Sequence, residues 1–201
     1  MEVFIISTFS SKYFGWLASL LIVLAAGWFL LPTGYVTLVE WLAPIMGNYV
    51  RPTFVMVNIL VVNPLGNLVM VAIWIIAGLV GGIMSGTKKG GILIAFLTWF
   101  SCIGIGIFCL IQFLLPVMEG TIALSMPPIP PGTSLADVLS IPLVQSFVSD
   151  LPGLLASMAG GGSGPDVVGL AMSVAVYVLS PLIIAIIGGI VGAILRPKEE
   201  F

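Results

Sequence analysis

Four long apolar runs constrain this chain more than any other feature of its sequence. They extend over about Tyr13 to Leu31, Leu65 to Ser85, Gly90 to Leu115, and Val167 to Leu195. Each meets the requirement of roughly 20 residues for a helix that crosses the hydrocarbon core of a bilayer. Membrane β-strands are about 10 residues long and alternate in polarity, which these runs do not. The sequence therefore predicts an all-α integral membrane protein built as a four-helix transmembrane bundle.

The composition supports this prediction. The 201 residues are 60% hydrophobic and 7% charged, whereas soluble domains carry about 25% charged residues. A soluble chain of this size has too little core for so much apolar surface, so membrane lipid must serve as the solvent. We expect one membrane domain over residues 1–201. The net charge of −2 and the lack of a basic patch argue against nucleic acid as a partner.

The first run also raises the alternative of a cleaved signal peptide. Its apolar core is longer than the 7 to 15 residues typical of such a signal. The motif LAAG near its end resembles a cleavage site only weakly. We therefore expect an uncleaved helix, which Pro32 ends, as Pro116 ends the third run.

The basic residues predict the orientation. If the four spans alternate in direction, only Arg51 lies on one side, and five basic residues lie on the other. Those five are Lys12, Lys88, Lys89, Arg196 and Lys198. Because basic residues favour the cytoplasmic side, we expect both the N-terminus and the C-terminus to be cytoplasmic, with the protein in the plasma membrane.

Two segments on the opposite side are apolar but too short to span, residues 33–63 and 117–166. In the second, Ser134 followed by Asp137 is typical of a helix start. We expect short amphipathic helices that lie on the outer leaflet or cap the bundle. A mobile loop is the alternative for the longer segment, and re-entrant insertion remains open for both.

The order of motifs indicates an internal repeat. Residues 29–32 and 113–116 both read FLLP, and the second and fourth runs both close with a glycine-rich phrase and a basic stop. We interpret this order as a tandem duplication, with repeat one over residues 1–89 and repeat two over 90–201. A unit with two spans re-enters in the same direction, so the copies would be parallel rather than inverted.

The glycines predict where helices pack. The candidate packing residues are Gly78, Gly82 and Gly86 in the second run, and Ala185, Gly188, Gly189, Gly192 and Ala193 in the fourth. Lipid provides no hydrophobic drive between helices, so association depends on the close approach that small residues permit. The two stripes could face each other, or each could receive a helix from another subunit. A leucine at Gly82 should then destabilise, while Gly90, in the predicted turn, should tolerate a larger residue.

The sequence offers little for catalysis. It contains no histidine, and no charged residue falls in the middle of a predicted span, which weakens proton-coupled transport as a function. Cys102 and Cys109 would lie about 10 Å apart along one helix, too far for a disulfide. We find no zinc motif, phosphate-binding loop or nucleophile elbow. We therefore expect no enzyme, no metal and no cofactor.

Two functions remain. The first is a non-catalytic small polytopic subunit that packs in and stabilises a larger membrane protein complex, with other subunits or a second copy as partners. The alternative is a small channel or carrier for a neutral or weakly polar solute. The repeat, the proline within the fourth run and the short apolar segments favour that alternative.

Overall fold

A computed structural model describes residues 2–60, 67–120 and 167–196 of the chain. These residues form six α-helices and no strand: α1 Glu2–Phe29, α2 Thr33–Met46, α3 Val50–Leu60, α4 Leu68–Ser85, α5 Lys88–Met118 and α6 Val167–Leu195. Helices α1, α4, α5 and α6 are long and apolar enough to cross a membrane, which confirms the prediction of four such helices. The helix start predicted at Ser134 and Asp137 lies outside the described residues.

The ends of α5 differ from the prediction. The helix begins at Lys88 rather than Gly90, and it continues through Pro116 to Met118. Proline removes one hydrogen bond and crowds the preceding turn, but a helix that ends two residues later loses little by this. Helix α1 likewise begins well before Tyr13, because the polar residues ahead of the apolar run do not prevent helix formation.

Helix α4 lies at the centre of the bundle. It packs against α1, α5 and α6, and the pair formed by α4 and α6 is the most extensive in the described structure. Helix α1 runs antiparallel beside α4, since the Ser11 hydroxyl donates to the Met84 carbonyl and the Ser19 hydroxyl donates to the Ala77 carbonyl at 2.7 Å. One end of the bundle therefore carries the α4–α5 connection, and the opposite end carries α2.

The short helix α3 packs between α1 and α5 instead of lying on the surface. Seven of its 11 residues are buried, and the Thr53 hydroxyl donates to the Cys109 carbonyl of α5 at 3.1 Å. The indole N–H of Trp74 donates to the Ile59 carbonyl at 3.4 Å. Trp74 lies about 9 Å along α4 from its first residue, so α3 descends into the bundle from the α2 end.

Candidate functional site

The glycines of α4 bring its backbone against the backbone of α6. A Cβ atom added at Gly78 would lie 2.1 Å from the Ala185 carbonyl oxygen. One added at Gly82 would lie 2.1 Å from the Gly189 carbonyl oxygen and 3.0 Å from the Ala193 nitrogen. No side chain fits at these distances, so Gly78 and Gly82 each lie directly against a turn of α6.

The contact is reciprocal. A Cβ added at Gly188 would lie 2.4 Å from the Ile75 carbonyl oxygen, and one at Gly192 would lie 2.2 Å from that of Leu79. The residue numbers increase in the same direction along both helices, so α4 and α6 run parallel. Close backbone contact of this kind brings Cα–H groups to carbonyl oxygens, which adds weak attraction at helix interfaces.

Gly189 lies where three helices meet. Besides its contacts with α4, it faces Gly91 of α5, where an added Cβ would lie 2.5 Å from the Gly189 carbonyl oxygen. Sequence reasoning missed Gly91, because α5 has no glycines at four-residue spacing to draw attention to it. The only available signal was its position in a glycine pair just after the two lysines.

Two glycines occupy roles that differ from those expected. Gly86 ends α4 in a left-handed conformation, with φ of 65°, and its N–H donates to the Gly82 carbonyl. It therefore serves as a helix cap and does not extend the stripe. Gly90 lies within α5, where an added Cβ would be 2.7 Å from the Thr87 hydroxyl and 2.8 Å from Ser85 Cβ. A side chain at Gly90 therefore has less space than we expected for a residue in a turn.

Gly104 is an exposed glycine in the middle of α5. A Cβ added there would meet nothing within 4 Å among the described residues. It lies one turn from Phe100 and one turn from Phe108, which are 60% and 52% exposed. The outer face of α5 therefore carries a notch between two aromatic side chains, which we call the Gly104 notch.

Arg51 attaches α3 to the end of α1. Its guanidinium carbon lies 4.5 Å from the centre of the Trp28 ring, a cation–π geometry. One of its terminal nitrogens also donates to the Trp28 carbonyl at 3.4 Å. The charge at the start of α3 is thus held at the α2 end of the bundle.

Three side chains of α2 and α3 carry buried polar atoms without a hydrogen-bond partner in the described structure. The Asn58 side chain is 1% exposed, and neither its oxygen nor its nitrogen has a hydrogen-bond partner within the described part of the chain. The same holds for the Tyr35 hydroxyl and for Nε of Arg51. The Tyr35 ring lies 6.0 Å from the Phe54 ring, and burial raises the pKa of the Tyr35 hydroxyl. The hydroxyl therefore stays protonated at neutral pH.

A separate cleft of about 210 Å³ lies between α3, α5 and α6. Its walls include Met56, Leu60, Gly106 and Val178, and Thr53 is the one polar residue among those that line it. Because the Thr53 hydroxyl already donates to a backbone carbonyl, the cleft presents an apolar surface. Its chemistry suits a hydrocarbon chain rather than a polar solute.

The described residues contain no group of three histidine, cysteine or acidic side chains that could hold a metal ion. Cys102 and Cys109 are free and buried. Comparisons with known protein families, with curated proteins and with solved structures found no match to this chain.

Proposed function

We propose that this protein is a non-catalytic membrane subunit that packs in and stabilises a larger membrane protein complex. The observation that carries the proposal is the Gly104 notch. The candidate packing glycines Gly78, Gly82, Gly188, Gly189 and Gly192 are all occupied by contacts within the chain, so a partner must use another surface than theirs. The partner that fits the notch is an apolar transmembrane helix of a different subunit.

A glycine in a helix interior costs about 1 kcal/mol relative to alanine. At Gly78 or Gly82 the close approach of α6 accounts for that cost. At Gly104 nothing within the described chain does. Small residues on a lipid-facing helix surface allow another helix to approach closely, and Phe100 and Phe108 would flank it on either side.

The test compares wild type with Gly104→Leu and Gly104→Ala by native mass spectrometry after extraction in mild detergent. Wild type should retain partner proteins, and Gly104→Leu should release them without any fall in the thermal stability of the chain in detergent. The smaller Gly104→Ala change should have a weaker effect. Extraction of the wild-type chain as a monomer without partners would refute the proposal. A pure homo-oligomer would indicate self-association instead.

We also infer that both termini are cytoplasmic and that the protein lies in the plasma membrane. The hydrogen bond between Ser11 and Met84 supports this, because it brings Lys12 to the end of the bundle that carries Lys88. In a background without native cysteines, Thr87→Cys should be labelled only from inside and Gly132→Cys only from outside. The reverse pattern would overturn the orientation.

We further propose that residues 1–89 and 90–201 are tandem repeats. The reciprocal, parallel contact between α4 and α6 supports it, since equivalent helices of two parallel repeats would meet in this way about a shared axis. Chains 1–89 and 90–201, expressed separately in one membrane, should then associate and co-purify. Failure to associate would argue against two self-contained units.

A small channel or carrier for a neutral solute is the second candidate. It is favoured by the insertion of α3 into the bundle, because helices that end at membrane depth commonly line solute paths. Proteoliposomes should then swell faster in urea or glycerol gradients than protein-free vesicles. Equal rates would remove this candidate.

A further inference from the structure

In the described structure, most of the unpaired buried polar atoms belong to side chains of α2 and α3, and we call the region where these two helices pack the α2–α3 corner. Five buried side-chain atoms lack a partner in the described structure, and four of them belong to Tyr35, Arg51 and Asn58. Arg51, Phe54 and Asn58 follow the i, i+3, i+7 spacing that places residues on one face of a helix. The Tyr35 ring lies 6.0 Å from the Phe54 ring, so Tyr35 of α2 lies beside the face of α3 that carries Arg51 and Asn58.

A buried amide without hydrogen bonds is costly, and the cost rises in a membrane because lipid offers no partner. Asn58 presents both a donor and an acceptor, and both are unpaired. An anion would use only the donor and would face the carbonyl oxygen. A cation would use only the acceptor and would be repelled by Arg51. The matching ligand is an uncharged molecule that both donates and accepts hydrogen bonds.

We propose that the α2–α3 corner binds water, held by the Asn58 amide and the Tyr35 hydroxyl and reached past Arg51 from the α2 end. Small uncharged solutes with the same pairing of donor and acceptor share the site. Buried waters of this kind make about three hydrogen bonds to otherwise unpaired groups. The inference deepens the channel or carrier candidate, and rests on it only for the passage of solute.

The test is radiolytic hydroxyl-radical labelling of the wild-type protein in lipid nanodiscs, read by mass spectrometry. Radicals form from bound water, so a buried side chain beside water becomes oxidised although it is closed to bulk solvent. Tyr35 is 2% exposed and Trp74 is 0% exposed, and the Trp74 indole is already paired with a carbonyl. Trp74 is therefore the matched dry control. Tyr35 should be oxidised faster than Trp74 after correction for the intrinsic reactivity of each ring.

Asn58→Leu should remove the excess oxidation of Tyr35, while the more exposed Tyr49 reports unchanged labelling. A Tyr35 rate no higher than that of Trp74 in wild type would overturn the proposal without any variant. Persistence of Tyr35 oxidation in Asn58→Leu would overturn the assignment to Asn58. Vesicle swelling is measured separately. If Tyr35 is oxidised faster than Trp74 but the vesicles show no flux, the channel function is refuted and the water site is supported.

Discussion

Replacing Gly82 with alanine should force α4 and α6 apart. The added Cβ would lie 2.1 Å from the Gly189 carbonyl oxygen, whereas ordinary contact begins at 3.4 Å. The shortfall is 3.4 − 2.1 = 1.3 Å. The obstructing atoms belong to backbone, which cannot rotate away as a flexible side chain would, so the helices themselves must move.

The matched control is Gly104→Ala, the same change in an apolar helix at a position with open space. Alanine favours the helix by about 1 kcal/mol over glycine at both sites, so this gain cancels when the two variants are compared. What remains is the overpacking cost. It is typically about 1–3 kcal/mol, and we expect the upper part of that range because backbone is displaced.

The assay is reversible unfolding in mixed detergent micelles, followed by tryptophan fluorescence. Gly82→Ala should be less stable than Gly104→Ala by about 2–3 kcal/mol. A difference below about 1 kcal/mol would refute the reasoning, since the helices would then separate without loss of contact. A Gly82→Ala chain that folds normally but loses a partner would instead show that the stripe serves assembly.

Trp99→Phe removes the indole donor that bonds the Val178 carbonyl at 2.8 Å, and should lower the free energy of unfolding by about 1 kcal/mol. Ser19→Ala removes the hydroxyl that donates to the Ala77 carbonyl, and should lower the free energy of unfolding by a similar amount. Unchanged stability in either variant would contradict a stabilising role for the hydrogen bond that it removes. Burial raises the pKa of Tyr35 above 10.0, so the unfolded chain loses this proton first and stability falls as the pH rises above about 10. Tyr35→Phe should remove that loss in unfolding measured from about pH 8 to about pH 11. Identical alkaline profiles in Tyr35→Phe and wild type would refute this.

The spanning helices were predictable because a bilayer demands long apolar runs, and a run of that length admits only a helix. The bounds of α6 were predicted correctly for the same reason. The start of α1 and both ends of α5 were not, because there the helix extends past the apolar run. Hydropathy indicates which residues lie in lipid, but it does not indicate where the backbone hydrogen bonding of a helix ends.

The position of α3 could not be predicted from the sequence. Its apolar residues suit a helix on the leaflet surface as well as one between α1 and α5. What decides between them is a space beside Gly27, where an added Cβ would lie 2.2 Å from the Ile59 side chain. That complementarity joins residues from different helices, and no local pattern records it. Asn58 likewise looks unremarkable until its neighbours are known.

Glycine spacing drew attention to α4 and α6, but spacing alone does not separate contact from capping. Gly86 continues the four-residue spacing of Gly78 and Gly82, yet it lies just beyond the helix, where its positive φ ends α4. Gly91 has no glycine four residues away in α5, yet it faces Gly189 of α6. The difference lies in backbone conformation and in which helix lies opposite, and both arise only from the tertiary arrangement.

The reciprocal contact of α4 with α6 has a consequence for how the protein is made. Gly78 of α4 meets a surface of α6 that begins at Ala185, so the ribosome must add about 100 residues between the two. At 5–20 residues per second this takes about 5–20 s. During that interval the face of α4 that carries Gly78 and Gly82 lacks the helix that covers it in the finished bundle. Because α6 is the last described helix in the chain, the most extensive helix pair cannot form until every other described helix has been synthesised.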